Sequence, residues 1–298
     1  MNYPIQIDSL SEEFKSSLPN SNDIQFSKTT GWFIGRFILP EDVLEQATIG
    51  AQEFYNGILD LALPNTENRI VNDSQDEGKT IRNNEFVTLQ SLKLRQLGFH
   101  PLITGTACRL AESSGIRFFA DSLINKMPSK DTHPGVVGWH SDKAYWPTCS
   151  SENMLTAWIP LQDCTLEMGT LTYISESHEW RHEEELKSFY SFNNQNLDQF
   201  DEYITRIKPQ HEKTPMLLKR GQVCFHNCNT IHCSGPNKSG QNRLALAIHL
   251  QDAENRYRTV YDQNQKPITI SYDDLCRKDS EGNPDYSDPG VFPTLIVE

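Results

Sequence analysis

Residues 231–250 read IHCSGPNKSGQNRLALAIHL. Gly235 to Gly240 is a dense turn signal between two short β-like runs, so the two runs are expected to form a hairpin. The second run alternates. Arg243, Ala245 and Ala247 fall on one face, and Leu244, Leu246, Ile248 and Leu250 fall on the other. The large side chains must fill a core, while the alanines leave room beside the arginine. A solvated face would more usually carry Lys, Glu or Thr, so an arginine beside two alanines points to a cavity that holds an anion. For an isolated strand, a salt bridge to a local acid is the plainer alternative.

Working outward, similar short runs occupy 116–124, 134–140, 153–160, 170–174, 215–225 and 229–234, mostly split by turn residues. The stretch Thr29 to Leu39 also reads as a strand. Helical spacing follows Pro40 as far as Pro64, and a second helix is expected over about 101–113. Helices first and many short strands afterwards predict a mainly β protein with flanking α. The expected core is a double-stranded β-helix (a jelly-roll, cupin-like fold) with helices packed outside. No linker interrupts the chain, so one domain is expected. Its parts are a helical N-terminal portion (about 1–115), a core (about 116–252) with a lid-like insertion at about 178–213, and a loose, Asp/Pro/Ser-rich tail at about 273–298.

The 298 residues carry a net charge of -13, which argues against a nucleic-acid partner, since such affinity rests on a basic surface. No apolar run approaches membrane-spanning length, and the start of the chain lacks a secretory pattern. Seven cysteines, an odd number, fit reduced thiols and a cytoplasmic setting. A small-molecule substrate is the expected partner; the oligomeric state is not encoded legibly.

The chemistry is carried by Trp139-His140-Ser141-Asp142, by His232-Cys233-Ser234 and by Arg243. Residues two apart on a strand share a face, so His140 and Asp142 can serve one metal, with His232 supplied by another strand. Two imidazoles and one carboxylate leave a divalent iron half-open. A guanidinium is the side chain best shaped to grip a carboxylate with parallel hydrogen bonds. Two rival patterns exist. His178-Glu179-Trp180-Arg181-His182 matches a zinc-peptidase motif if it lies on a helix, with Glu202 as a third ligand. Cys224, Cys228 and Cys233, with His226 between them, resemble a crowded zinc cluster, although small buried cysteines explain them as well. His100, His133, His211 and His249 carry no pattern.

These residues resemble the phytanoyl-CoA dioxygenase family of iron(II)- and 2-oxoglutarate-dependent oxygenases. The resemblance runs over about 116–250, from Asp121–Pro128 (DSLINKMP) through WHSD, Ala157-Trp158, Gly169-Thr170-Leu171 and Ser177-His178 to His232-x-Ser234 and Arg243. It implies that His140, Asp142 and His232 bind Fe(II). It also implies that Arg243 and Ser234 hold the distal carboxylate of 2-oxoglutarate beside Trp158, with further contacts from Phe119 and from Arg82 or Lys79. O2 would then be the oxidant and hydroxylation the default outcome, with desaturation, ring closure and epimerisation as alternatives. Ser141 replaces a frequent Gln, Ser175-Glu176 replaces Pro-Gly, and the link at 129–133 is longer and more polar. Asp142 disfavours halogenation, because related halogenases lack that carboxylate. Tyr145 and Trp146 are candidates for the substrate wall, or equally for core packing. A cupin-type isomerase or binding protein, needing no 2-oxoglutarate, is the competing class.

Overall fold

The computed structural model describes residues 3–64, 80–130, 135–182 and 197–298. Among these the strands are β1 Ile5–Gln6, β2 Trp32–Ile34, β3 Ile81–Glu85, β4 Gly115–Lys126, β5 Val137–His140 and β6 Leu155–Pro160. They continue with β7 Leu171–Ile174, β8 Lys213–Pro215, β9 Cys224–Asn227, β10 His232–Ser234, β11 Arg243–Asp252 and β12 Thr294–Val297. The helices are α1 Glu12–Ser17, α2 Ser21–Thr30, α3 Glu41–Tyr55, α4 Val87–Gln90, α5 Leu92–Gly98, α6 Pro101–Ala111 and α7 Leu197–Ile207.

The strands form two sheets. The larger runs β1-β12-β4-β11-β6-β9-β2, with β3 also paired to β4, and the smaller runs β5-β10-β7-β8. Strand β4 therefore holds β11 along one edge. On its other edge β12 pairs with residues 115–117 and β3 with residues 122–126. This is a jelly-roll architecture with helices packed outside. Helix α6 lies against β4, β6, β11 and β12, and α3 packs on α5. The alternation read in β11 has a physical counterpart: Leu246 and Ile248 join the helix-covered core, whereas Ala245 and Ala247 face the second sheet with Trp158 and Tyr173.

Local chemistry explains the helix starts. Pro40 stands at the N-cap of α3, Glu41 and Asp42 sit in its first turn, where the helix dipole favours negative charge, and Val43, Leu44, Ala47, Ala51 and Phe54 are buried. Pro101 opens α6, and the His100 ring accepts the Leu102 amide at 3.3 Å.

Three expectations are corrected. The strand expected over Thr29–Leu39 shrinks to Trp32–Ile34, because α2 continues to Thr30 and ends on Gly31 at φ 83°. Strands β10 and β11 do not form a hairpin: β10 pairs with β5 and β7, and β11 with β4 and β6, so the turn at 235–240 carries the chain from one sheet to the other. The tail is not loose. Tyr286, Val291, Phe292, Leu295 and Ile296 are buried, and β12 zips onto β4. Of the insertion at 178–213, residues 183–196 lie outside the described residues. Its helix α7 stacks Phe200 on Trp139 at 5.2 Å, and its end forms β8.

Candidate active site

Strand pairing sets His232 directly opposite His140, with ring centroids 4.2 Å apart. Asp142 lies just beyond the strand, at the start of a single 3-10 turn, Asp142–Tyr145, rather than on the strand itself. That turn swings its carboxylate toward both rings. His140 Nδ1 lies 2.8 Å from the Gly138 carbonyl and His232 Nδ1 lies 3.0 Å from the Thr230 carbonyl. A carbonyl can only accept, so each Nδ1 holds the proton and each Nε2 keeps its lone pair. Those Nε2 atoms face Asp142 Oδ1 at 3.9 and 3.7 Å. All three ligand atoms lie within 4.8 Å of one another, in side chains that are buried. Burial pushes both imidazoles toward the neutral form, well down in the case of His232. Burial opposes charge on Asp142, but His232 and a hydrogen bond from His226 hold its carboxyl well below the ordinary carboxylate range.

The other carboxylate oxygen is fully engaged. Asp142 Oδ2 accepts from Thr156 Oγ1 and, at 2.9 Å, from His226 Nε2. His226 must then accept at Nδ1, and the Tyr173 hydroxyl donates there at 2.8 Å. The Thr156 proton is used on Asp142, so its oxygen receives His249 Nδ1 at 2.8 Å. Strand register produces this row: His249, Thr156 and His226 sit side by side on β11, β6 and β9. The sequence reading assigned His226 to a possible cysteine cluster and gave His249 no role. Arg243, Ala247 and His249 share one phase of β11, and Trp158 and Thr156 one phase of β6; that was the missed signal. All seven cysteines are free and buried, and His226 points to Asp142.

Beside the ligand set lies a concentration of positive charge. Arg243, 1% exposed, donates through Nη1 to the Gly169 carbonyl and, at 3.5 Å, to Ser234 Oγ. Its guanidinium lies 5.4 Å from the centre of the Trp158 ring, and its Nε has no hydrogen-bond partner among the described residues. The close approach needs Gly169, at φ 62°, where a Cβ would come within 2.3 Å of the Gly235 carbonyl oxygen. Lys126 stands opposite Arg243 in the register and donates to the Ser234 carbonyl at 3.0 Å, the Gly235 carbonyl at 2.7 Å and Ser234 Oγ. Burial lowers Arg243 to about 10, and burial plus the neighbouring guanidinium lowers Lys126 strongly. Among the described residues neither cation has a carboxylate partner, so the salt-bridge alternative for Arg243 is not realised. A sheltered guanidinium without a counter-charge, with a buried amine beside it, makes a site for an anion.

A cavity of about 570 Å³ joins these features, with His140, Asp142, His232, Ser234, Trp158 and Arg243 on its wall. Tyr145 and Trp146 also line it, and Trp146 packs in addition on Phe119, at 5.4 Å, so it is wall and core at once. Phe119 does not reach the cavity. A bulge in β4 leaves it out of the pairing with β11 and turns it into an aromatic cluster, stacked on Phe292 at 5.5 Å. Arg82 also faces away, over the Tyr55 ring at 4.1 Å, because alternation along β3 gives the cavity Ile81, Asn83 and Glu85 instead. Lys79 lies outside the described residues. The His178 motif sits in a 3-10 turn, Ser177–His182, which at about three residues per turn does not align positions four apart as an α-helix does. His178 Nε2 bonds the Lys28 carbonyl at 2.9 Å, Glu202 is exposed, and the His182 side chain is outside the described residues.

Fold and site together define a jelly-roll protein with a two-histidine, one-carboxylate pocket beside an anion site. Residues 37–245 match the family model for phytanoyl-CoA dioxygenase (PhyH), and the chain belongs to that family. The peroxisomal phytanoyl-CoA dioxygenase of Bos taurus is 24% identical over 160 residues, 52% of this chain and 45% of that protein. The chain thus spans about half the length of the curated relatives it matches. Among solved structures, the epimerase SnoN in complex with Fe3+, alpha ketoglutarate and nogalamycin RO superposes with a TM-score of 0.65 at 20% identity, covering 92% of this chain and 97% of that one. EctD from S. alaskensis with 2-oxoglutarate and 5-hydroxyectoine gives 0.62 at 18% identity, over 81% of this chain and 79% of that one. At these identities the likeness is one of fold. No helix among the described residues is long and apolar enough to cross a membrane.

Proposed function

We propose that the protein is an iron(II)- and 2-oxoglutarate-dependent oxygenase that hydroxylates a C–H bond of a small organic molecule. The observation that carries this reading is the junction, in one cavity, of three convergent ligand atoms with the buried Arg243 guanidinium, which no acid answers among the described residues. The donor set fits a ferrous ion: neutral imidazoles present Nε2, and Asp142, its Oδ2 already occupied, presents Oδ1. Arg243 and Ser234 fit the distal carboxylate of 2-oxoglutarate. The Ser234 hydroxyl accepts from Lys126 and from Arg243, which frees its own proton for donation to that carboxylate. Trp158 walls the same end and excludes water, which strengthens each of these charge-assisted contacts. Bound iron, with 2-oxoglutarate and O2, supplies the oxidising power as the co-substrate leaves as succinate and CO2. Tyr145 and Trp146 flank the open side, where substrate would sit beside the metal without bonding to it. SnoN, an epimerase of similar fold, illustrates the other outcomes such a scaffold serves.

The competing class, a metal site that needs no co-substrate, leaves the buried Arg243 without purpose. Anaerobic addition of ferrous iron and 2-oxoglutarate should give the weak visible charge-transfer band of the chelate. Its absence at saturating ligand would overturn the reading.

A further inference from the structure

The cavity has a second polar end. Strand β3 directs Ile81, Asn83 and Glu85 into it. Glu85 pairs with Ser122 and Ser122 with Ala247, so Glu85 stands two strands, roughly 10 Å, from Ala247, which shares a face of β11 with His249. Its half-buried carboxylate accepts the Tyr272 hydroxyl at 3.0 Å and has no cationic partner among the described residues. Asn83 Oδ1 is buried and accepts no hydrogen bond from the described residues. Tyr145, Trp146 and Tyr272 supply aromatic surface to the same cavity. Arg243, at the opposite end, is the one lysine or arginine among the described residues on the cavity wall.

The two ends thus have opposite deficits. One holds a guanidinium that a dicarboxylate would answer; the other holds an acid that no cation answers among the described residues. Burial drives the Glu85 carboxyl up, and the Tyr272 hydrogen bond offsets this only in part. A sheltered carboxylate beside ring faces is the chemistry that receives an ammonium group.

We propose that the substrate carries a protonated amine, which pairs with Glu85, donates a further N–H to Asn83 Oδ1 and lies against the Tyr272 ring. The inference rests on the oxygenase reading for the identity of the cavity as a substrate chamber.

The test is calorimetry with a library of cyclic and linear probes prepared as matched triplets, alike except for one amine, hydroxyl or carboxylate group. Titrations run with ferrous iron and 2-oxoglutarate under nitrogen, and again without metal. The best amines should bind about 10-fold or more tightly than their alcohol partners. Glu85→Gln, with its fold checked by circular dichroism, should bring the two within about twofold. Equal binding of alcohols, an amine preference that survives in Glu85→Gln, or binding by no amine in the library would each overturn the proposal. The visible chelate band is recorded on the same wild-type samples. A band without amine preference removes only this inference, whereas no band removes the oxygenase reading.

Discussion

At the scale of single residues the pocket works by engaging the atoms a metal does not need, which turns the remaining ones toward one another. His226 and Thr156 hold Asp142 Oδ2, and backbone carbonyls hold both Nδ1 atoms. His226→Ala should therefore weaken metal binding by about 10- to 100-fold, the usual cost of losing a partner that orients a ligand. Calorimetric titration with Mn(II) measures it, and an unchanged affinity would show that Thr156 suffices. Arg243→Ala removes one half of the anion site. The KM for 2-oxoglutarate should rise about 10- to 100-fold, in line with loss of a hydrogen bond to a charged group, while the KM for the primary substrate stays nearly constant; equal movement of both would sink its assigned role. Much of this was legible, since histidine, aspartate and arginine have few reasons to recur at such spacing on β-like runs. His226 and His249 were not, because their meaning depends on which strands lie side by side, and a single chain read in order does not disclose its neighbours.

Elements show where such reading stops. The turn at 235–240 announces a reversal, but turn residues encode the bend and not the partner, so a change of sheet looked like a hairpin. The bulge that diverts Phe119 leaves no mark in composition. The terminal segment reads as loose because Asp, Pro and Ser dominate it, yet a few apolar residues anchor it. Phe292→Ala should cost about 3–5 kcal/mol as a buried aromatic truncation, measured by urea unfolding; a loss below 1 kcal/mol would mean that the segment is only loosely attached. Helix α6 offers a pH test. His100 is buried, and burial lowers its pKa to about 4, so between about pH 4 and its unfolded value near 6.5 the unfolded chain binds the extra proton. Stability should therefore rise with pH across that window, by on the order of 3 kcal/mol at most. His100→Asn, which keeps an acceptor for the Leu102 amide, should flatten the slope in urea melts at pH 4.5 and 7.

Across the whole molecule the two sheets share the chemistry. His140, His232 and Ser234 belong to the smaller sheet, and Arg243 and Lys126 to the larger. A dicarboxylate held between Ser234 and Arg243 would tie one sheet to the other. Loading with Mn(II) and 2-oxoglutarate should thus raise the melting temperature more than either addition alone. The dicarboxylate at about 100 times its Kd should contribute roughly 2.7 kcal/mol. A thermal shift from metal that 2-oxoglutarate does not enlarge would argue against a shared site. All seven thiols, meanwhile, are sealed inside this layered body, and burial pushes those of Cys108, Cys149, Cys224 and Cys233 up to about 12. Alkylating reagents consume thiolate, so at neutral pH they must wait for the fold to open. Each cysteine is in effect a clock set at a different depth: Cys233 times the parting of the strands around His232, and Cys108 the release of α6. Mass-spectrometric counting of alkylated sulfurs over time would therefore chart, region by region, how the resting protein breathes.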